Sequence, residues 1–221
     1  MSAALRELIA AWSASCRGGW TDRPSAWIIA APEHRFPVAH DDTLNGYLWL
    51  LARGHAAEDI VVMGDSAGGH LALGWCVQLR ELGLAQPRAV VGFSALVDST
   101  WTLSREREPP VDDAFMRVRA AQKLTELYTG SDHFDDPRLN VLGADGPDLP
   151  PILLQAGAAE VLSADAEAYG AALRAVQTWP GMFHVFQLAY RLLPEADEAL
   201  ADVEQFVARV ESQSTRKPKS A

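Results

Sequence analysis

A β-branched run that ends in a glycine-flanked serine and passes at once into a helical pattern constrains this chain more than any other feature. Asp59-Ile60-Val61-Val62-Met63 leads into Gly64-Asp65-Ser66-Ala67-Gly68-Gly69, and helical spacing follows from Ala67 to about Leu82. Short apolar runs of this kind suit strands covered on both faces of a parallel sheet. The alternation continues downstream. Ala89–Phe93 reads as a strand, Phe115–Leu127 as a helix, Pro151–Gln155 as a strand, and Ala164–Ala175 as a helix. Val176–Trp179 is a short, weak strand, and a last helix covers about Glu195 to Val210. Upstream, residues 2–15 carry Leu5, Leu8, Ile9 and Trp12 on one helical face, with Gly18-Gly19 as the stop signal. Trp27–Ala30 reads as a buried strand and Asp41–Ala52 as a helix. Alternating strands and helices predict an α/β fold with a mostly parallel sheet flanked by helices.

The 221 residues suit one domain, expected over 1–211, with a disordered Ser/Pro-rich tail at 212–221. A formal charge of −10 argues against nucleic acid or an anionic membrane as partner, since both demand a basic surface. The basic cluster Arg216-Lys217-Pro218-Lys219 lies in that tail and reads as solvated. No stretch approaches the ~18 apolar residues of a membrane span. The first residues carry an acid and a base where a signal peptide needs an apolar core, so a cytoplasmic location is expected. Cys16 and Cys76 have no metal or redox spacing, and the six histidines form no HExxH-type pair. Neither a metal nor a cofactor is expected.

The chemistry gathers at Ser66. Gly64-Asp65-Ser66-Ala67-Gly68 is G-x-S-x-G between a strand and a helix, the setting of a nucleophile elbow. Gly64 and Gly68 are expected to keep side chains out of the strand–helix contact, and the Ala67 N–H to face a developing oxyanion. Such a nucleophile needs an acid and then a base further along the chain. Glu160 follows the strand at 151–155, at the carboxyl end where active-site loops gather. Asp165 competes for the acid role from about a turn into the next helix. His184 lies directly after the last strand and is the candidate base. His70 sits on the elbow helix, where packing is the expectation, and His34, His40, His55 and His133 have no comparable placement. Trp179, Met182, Phe183 and Phe186 are candidates to line an acyl pocket, although such residues after a strand more often belong to the core.

Several stretches together resemble the hormone-sensitive-lipase-like (bacterial family IV) α/β-hydrolases, a group of bacterial esterases. Ala31-Pro32-Glu33-His34-Arg35-Phe36-Pro37-Val38-Ala39 is similar to the family's APEHPFPAA segment, and Gly64 to Gly69 to its GDSAGG elbow. Ser94 to Thr100 resembles a degenerate SPWxDLT, and Tyr128 to Pro137 a YxG…DP segment. Gly157–Leu162 and Gly181–Phe186 are similar to the acid and histidine motifs, so the resemblance spans roughly 27–210. It implies the α/β-hydrolase fold, the triad Ser66, Glu160 and His184, and hydrolysis of small-molecule carboxylic esters.

Three departures accompany the resemblance. The family's HGGG oxyanion segment is missing; Gly18 and Gly19 in Cys16-Arg17-Gly18-Gly19-Trp20 echo it, with helix capping as the simpler role. The family's cap and first strands are also missing, which leaves an apolar sheet edge that favours self-association into a homo-oligomer, or a direct pairing of Trp27–Ala30 with Ile60–Met63. The link from the helix near Ala175 to Gln177 is short, which could misplace His184. The expectation is a short-acyl serine carboxylesterase working through an acyl-enzyme. The alternative is a catalytically weak or inactive hydrolase-fold protein that binds a small ligand or a partner.

Overall fold

In the computed structural model, side chains of successive strand residues pack on opposite faces of one sheet, as the apolar runs require. The structure describes residues 15–18, 34–130, 135–144, 148–173 and 176–214. Among these residues, five strands lie in the order β1-β2-β3-β4-β5: β1 is Ser15–Gly18, β2 Ile60–Asp65, β3 Ala89–Phe93, β4 Ile152–Gly157 and β5 Val176–Trp179. The last four are parallel, and β1 runs antiparallel to β2. The helices are α1 (Val38–Ala52), α2 (Ser66–Glu81), α3 (Thr102–Arg107), α4 (Val118–Thr129), α5 (Ser163–Leu173) and α6 (Pro194–Ser214).

Ile60, Val62, Val90, Ile152 and Leu154 point to one face, where Tyr47 of α1, Leu73 and Trp75 of α2 and Tyr169 of α5 close over them. Val61, Met63, Val91, Phe93 and Leu153 point to the other, covered by Leu200, Val203, Phe206 and Val207 of α6. Sequential parallel neighbours with right-handed crossovers put α2 and α5 on the same side. The excursion holding α3 and α4 packs Trp101 and Val118 onto Leu96, Val161 and Leu162. Proline at the first position and acids in the first turn suit the start of α6.

From residue 38 onward, the strands and helices expected from the apolar patterns fall where those patterns place them, with shifts of a few residues at their ends. Two expectations change. The run at 15–18 is a strand, so Gly18 pairs with Ile60 rather than capping a helix. The sheet edge is thus met by β1; Trp27–Ala30, like residues 2–14 and Gly19, lies outside the described residues. The helix α6 continues to Ser214, so the tail boundary at 212 falls inside it, and residues 215–221 lie outside the described ones. The short α3 had no apolar periodicity to announce it. Among the described residues, no helix is long and apolar enough to cross a membrane.

Candidate active site

The turn from β2 to α2 brings Ser66 to the carboxyl rim of the sheet with φ +49°. A non-glycine residue holds this left-handed conformation only when its surroundings enforce it. The enforcement comes from contact too close for side chains. A Cβ on Gly64 would lie 2.3 Å from the Gly68 carbonyl oxygen, and one on Gly69 would lie 2.6 Å from the Ala95 Cβ. Gly68 itself is less constrained, since its Cβ would meet Asp65 Oδ1 at 3.4 Å. The tight pair is therefore Gly64 and Gly69, where the motif alone had pointed to Gly64 and Gly68.

Three distant segments meet at Ser66. His184 Nε2 lies 3.0 Å from Ser66 Oγ, and its Nδ1 lies 2.6 Å from Glu160 Oε2. A carboxylate only accepts, so Nδ1 carries the hydrogen and the Nε2 lone pair faces the serine hydroxyl. Glu160 is fully buried just beyond β4. Its Oε1 accepts from Ser94 Oγ at 2.7 Å and from the Gly157 N–H at 2.7 Å. The short link before β5 does not displace His184.

Ser94 does more than this one bond. Its Oγ also accepts from the Val185 N–H at 2.9 Å, so one hydroxyl joins Glu160 to the residue after His184. Both Ser94 (φ +48°) and Val185 (φ +52°) sit in the left-handed region. For β-branched Val185 this is costly backbone, held by burial and that hydrogen bond. Gln187 Nε2 donates to Gln155 Oε1 at 3.2 Å, anchoring the same loop to β4. Buried Asp113 accepts the Val161 N–H at 3.0 Å and steadies the segment after Glu160. Sequence reasoning missed Ser94, Gln187 and Asp113 as site residues. Only Ser94 had a signal, as the first residue of the SPWxDLT-like stretch.

Asp165 has a different occupation. Its Oδ2 accepts the N–H groups of Val97 and Asp98 at 3.1 and 3.0 Å, and Oδ1 accepts from Ser104 Oγ at 2.9 Å. Burial pushes its carboxyl up to about 6, against the pull of these donors. His70 packs as expected: Nδ1 meets the Leu96 carbonyl at 3.0 Å, and burial lowers its pKa to about 4. His40 Nδ1 meets Tyr128 Oη at 3.2 Å, and burial lowers its pKa to about 3. Phe186 is core, with the half-buried Trp179, Met182 and Phe183 packed around it beside Ala196 and Ala199 of α6.

Ala67 follows Ser66 at the start of α2, where the first N–H groups have no partner within the helix. Gly18 is not near it. It pairs with Ile60, six residues before Ser66, which at ~3.3 Å per residue is on the order of 20 Å away. The structure therefore does not bring Gly18 to the oxyanion side. Gly19 and His133 lie outside the described residues. Among the described residues, no group of three or more His, Cys, Asp or Glu side chains is placed to hold a metal ion.

An α/β-hydrolase-fold family model matches residues 29–188. The chain is 32% identical over 210 residues to the carboxylesterase/phospholipase LipF of Mycobacterium tuberculosis, covering 85% of this chain and 53% of that protein. It is 34% identical over 188 residues to the esterase LipU of the same organism, covering 80% and 63%. Among solved structures, an esterase of the bacterial hormone-sensitive lipase family superposes with a TM-score of 0.75 at 33% identity, covering 80% of this chain and 62% of that one. The chain thus spans between about half and two thirds of the length of these relatives. With the fold, the elbow and the match over most of the chain in agreement, the chain belongs to the hormone-sensitive-lipase-like branch of the α/β-hydrolase family.

Proposed function

We propose that this chain hydrolyses carboxylic esters of short acyl chains, with Ser66 as nucleophile, His184 as base and Glu160 as the acid that orients it. The observation that carries this reading is the unbroken hydrogen-bond path from Ser66 Oγ through His184 to Glu160 and on to Ser94. Esterase relatives of similar sequence support it.

In this reading Ser66 Oγ attacks the ester carbonyl carbon while His184 Nε2 takes its proton. The carbonyl oxygen becomes an oxyanion facing the Ala67 N–H. The tetrahedral intermediate then expels the alkoxide, which leaves as alcohol with the proton from Nε2. Water, deprotonated by His184, attacks the acyl carbon; collapse of that intermediate breaks the bond to Ser66 Oγ, which takes the proton back from Nε2 as the acid leaves. Glu160 holds the imidazole in the needed tautomer and stabilises its charged form.

Gly18's remote position favours a second reading, in which the chain is a weak catalyst or only a binder. Each absent oxyanion donor typically costs ~10²–10³ in kcat. Turnover of p-nitrophenyl acetate decides between them. The expected result is hydrolysis above background that Ser66→Ala lowers by on the order of 10⁶, or to background. Equal rates for both proteins would overturn the esterase reading.

A further inference from the structure

The chain between α3 and α4 holds a turn whose construction the triad alone does not explain. Asp113 is a fully buried carboxylate, costly unless donors surround it. Three backbone N–H groups do so. Oδ1 accepts from Phe115 at 2.8 Å and from Met116 at 3.0 Å, and Oδ2 accepts from Val161 at 3.0 Å. The Arg117 guanidinium donates to the Asp113 carbonyl at 2.8 Å. A turn tied in this way has little freedom, and what it presents is the ring of Phe115.

That ring is 66% exposed. A single exposed apolar side chain carries no message, but this one has a specific partner. Its centroid lies 5.2 Å from that of Phe183, with the planes 14° apart, within the range of an attractive aromatic pair. Phe183 directly precedes His184 and also packs against the core around Phe186.

These contacts close a ring. Val161 follows Glu160 and bonds to Asp113, Asp113 fixes Phe115, Phe115 stacks on Phe183, and Phe183 leads into His184, whose Nδ1 returns to Glu160. Ser94 joins the same two segments by another route, through Glu160 and Val185. Its bond fixes the residue after His184, and the stack fixes the residue before it. With one of the two removed, the loop can pivot about the other and carry the imidazole out of line with Ser66, and small misplacements of this kind cost rate. Among the described residues, neither Asp113 nor Phe115 hydrogen-bonds to a triad side chain.

Building on the esterase reading, we propose that Phe115, set in place by Asp113, is a positioning residue for His184: its stack on Phe183 holds the imidazole in line with both Ser66 and Glu160. A stacked aromatic pair biases an equilibrium by a factor of roughly two to ten, which sets the size of the effect. The test is steady-state kinetics on p-nitrophenyl acetate with Phe115→Ala, which removes the ring from an exposed position, and Phe115→Tyr, which keeps it. Phe115→Ala should lower kcat by about threefold or more with KM within about twofold, and Phe115→Tyr should stay within about twofold of wild type in both. Fluorophosphonate labelling of Ser66 should slow in step with kcat. A kcat loss below about threefold, a loss that Phe115→Tyr shares, unslowed labelling, or a rise in KM with kcat intact overturns the positioning role while leaving ester hydrolysis in place. Should wild type turn over no ester, the esterase reading itself fails, and NMR of the proton between His184 Nδ1 and Glu160 tests the stack alone. Its exchange with solvent should be about threefold faster or more in Phe115→Ala than in wild type and Phe115→Tyr. Equal exchange in all three, or no such resonance in wild type, overturns it.

Discussion

Glu160 and Asp165 are five residues apart on one segment, both fully buried, and they do opposite things. Glu160 ends a path to an imidazole and a serine hydroxyl, whereas Asp165 ties down the backbone of the 97–98 loop and the Ser104 hydroxyl. The same contrast separates two histidines. His184 presents one nitrogen to Ser66 and the other to Glu160; His70 presents Nδ1 to a backbone carbonyl while its Nε2 is buried with no hydrogen-bond partner among the described residues. Burial makes each group costly to leave unpaired, but the identity of the facing partner decides whether the group can move a proton or only hold the chain.

This contrast can be broken by substitution. Glu160→Gln should lower kcat by about 10⁴, because an amide N–H facing Nδ1 favours the wrong imidazole tautomer; steady-state kinetics on a short ester check it, and a loss under tenfold would erase the distinction. Asp165→Asn should instead cost about 2–3 kcal/mol of stability, as its amide N–H group is set against buried donors. Urea unfolding reads this cost, and kcat per folded molecule should stay within threefold.

The buried histidine predicts a pH dependence of stability. The folded pKa of His70 lies below its unfolded value of 6.5. As pH falls from 6.5 towards about 4, the unfolded chain takes up a proton the folded one refuses, and stability is lost. His40 works in the same direction, and Asp165, with a raised pKa, works in the opposite one. His70→Asn, which keeps a donor for the Leu96 carbonyl, should remove about 2 kcal/mol of the acid destabilisation between pH 7 and pH 5. Equal urea midpoint shifts in both proteins would contradict it. The smallest effect is expected at Ser94. Ser94→Ala leaves Glu160 with the Gly157 N–H and His184, so kcat should fall about tenfold with KM unchanged.

What the sequence revealed follows the same division. The meeting of Ser66, Glu160 and His184 was legible because each follows a strand, two of them readable from apolar runs and Val176–Trp179 only weakly, and because the elbow motif calls for an acid and then a base further along the chain. The elbow's close packing was half legible: the motif names Gly64 and Gly68, but the contact between Gly69 and Ala95 arises from a loop 26 residues further on, which local spacing does not encode. Ser94, Asp113 and Gln187 act through bonds to residues 32–91 positions away, so no periodicity marks them. Gly18 shows the converse. A local likeness to HGGG says nothing about which end of β2 its strand will meet, and antiparallel pairing puts it at the far end.

The account stands most directly on the pairing of Ser66 with His184. Intact-mass measurement after incubation with a fluorophosphonate should show one adduct, mapped by peptide digestion to Ser66. The adduct should be absent in Ser66→Ala and should form at least a hundredfold more slowly in His184→Ala. Labelling at the same rate with His184 removed, or no labelling of Ser66 in the folded wild-type protein, would contradict the claim that this imidazole activates this hydroxyl.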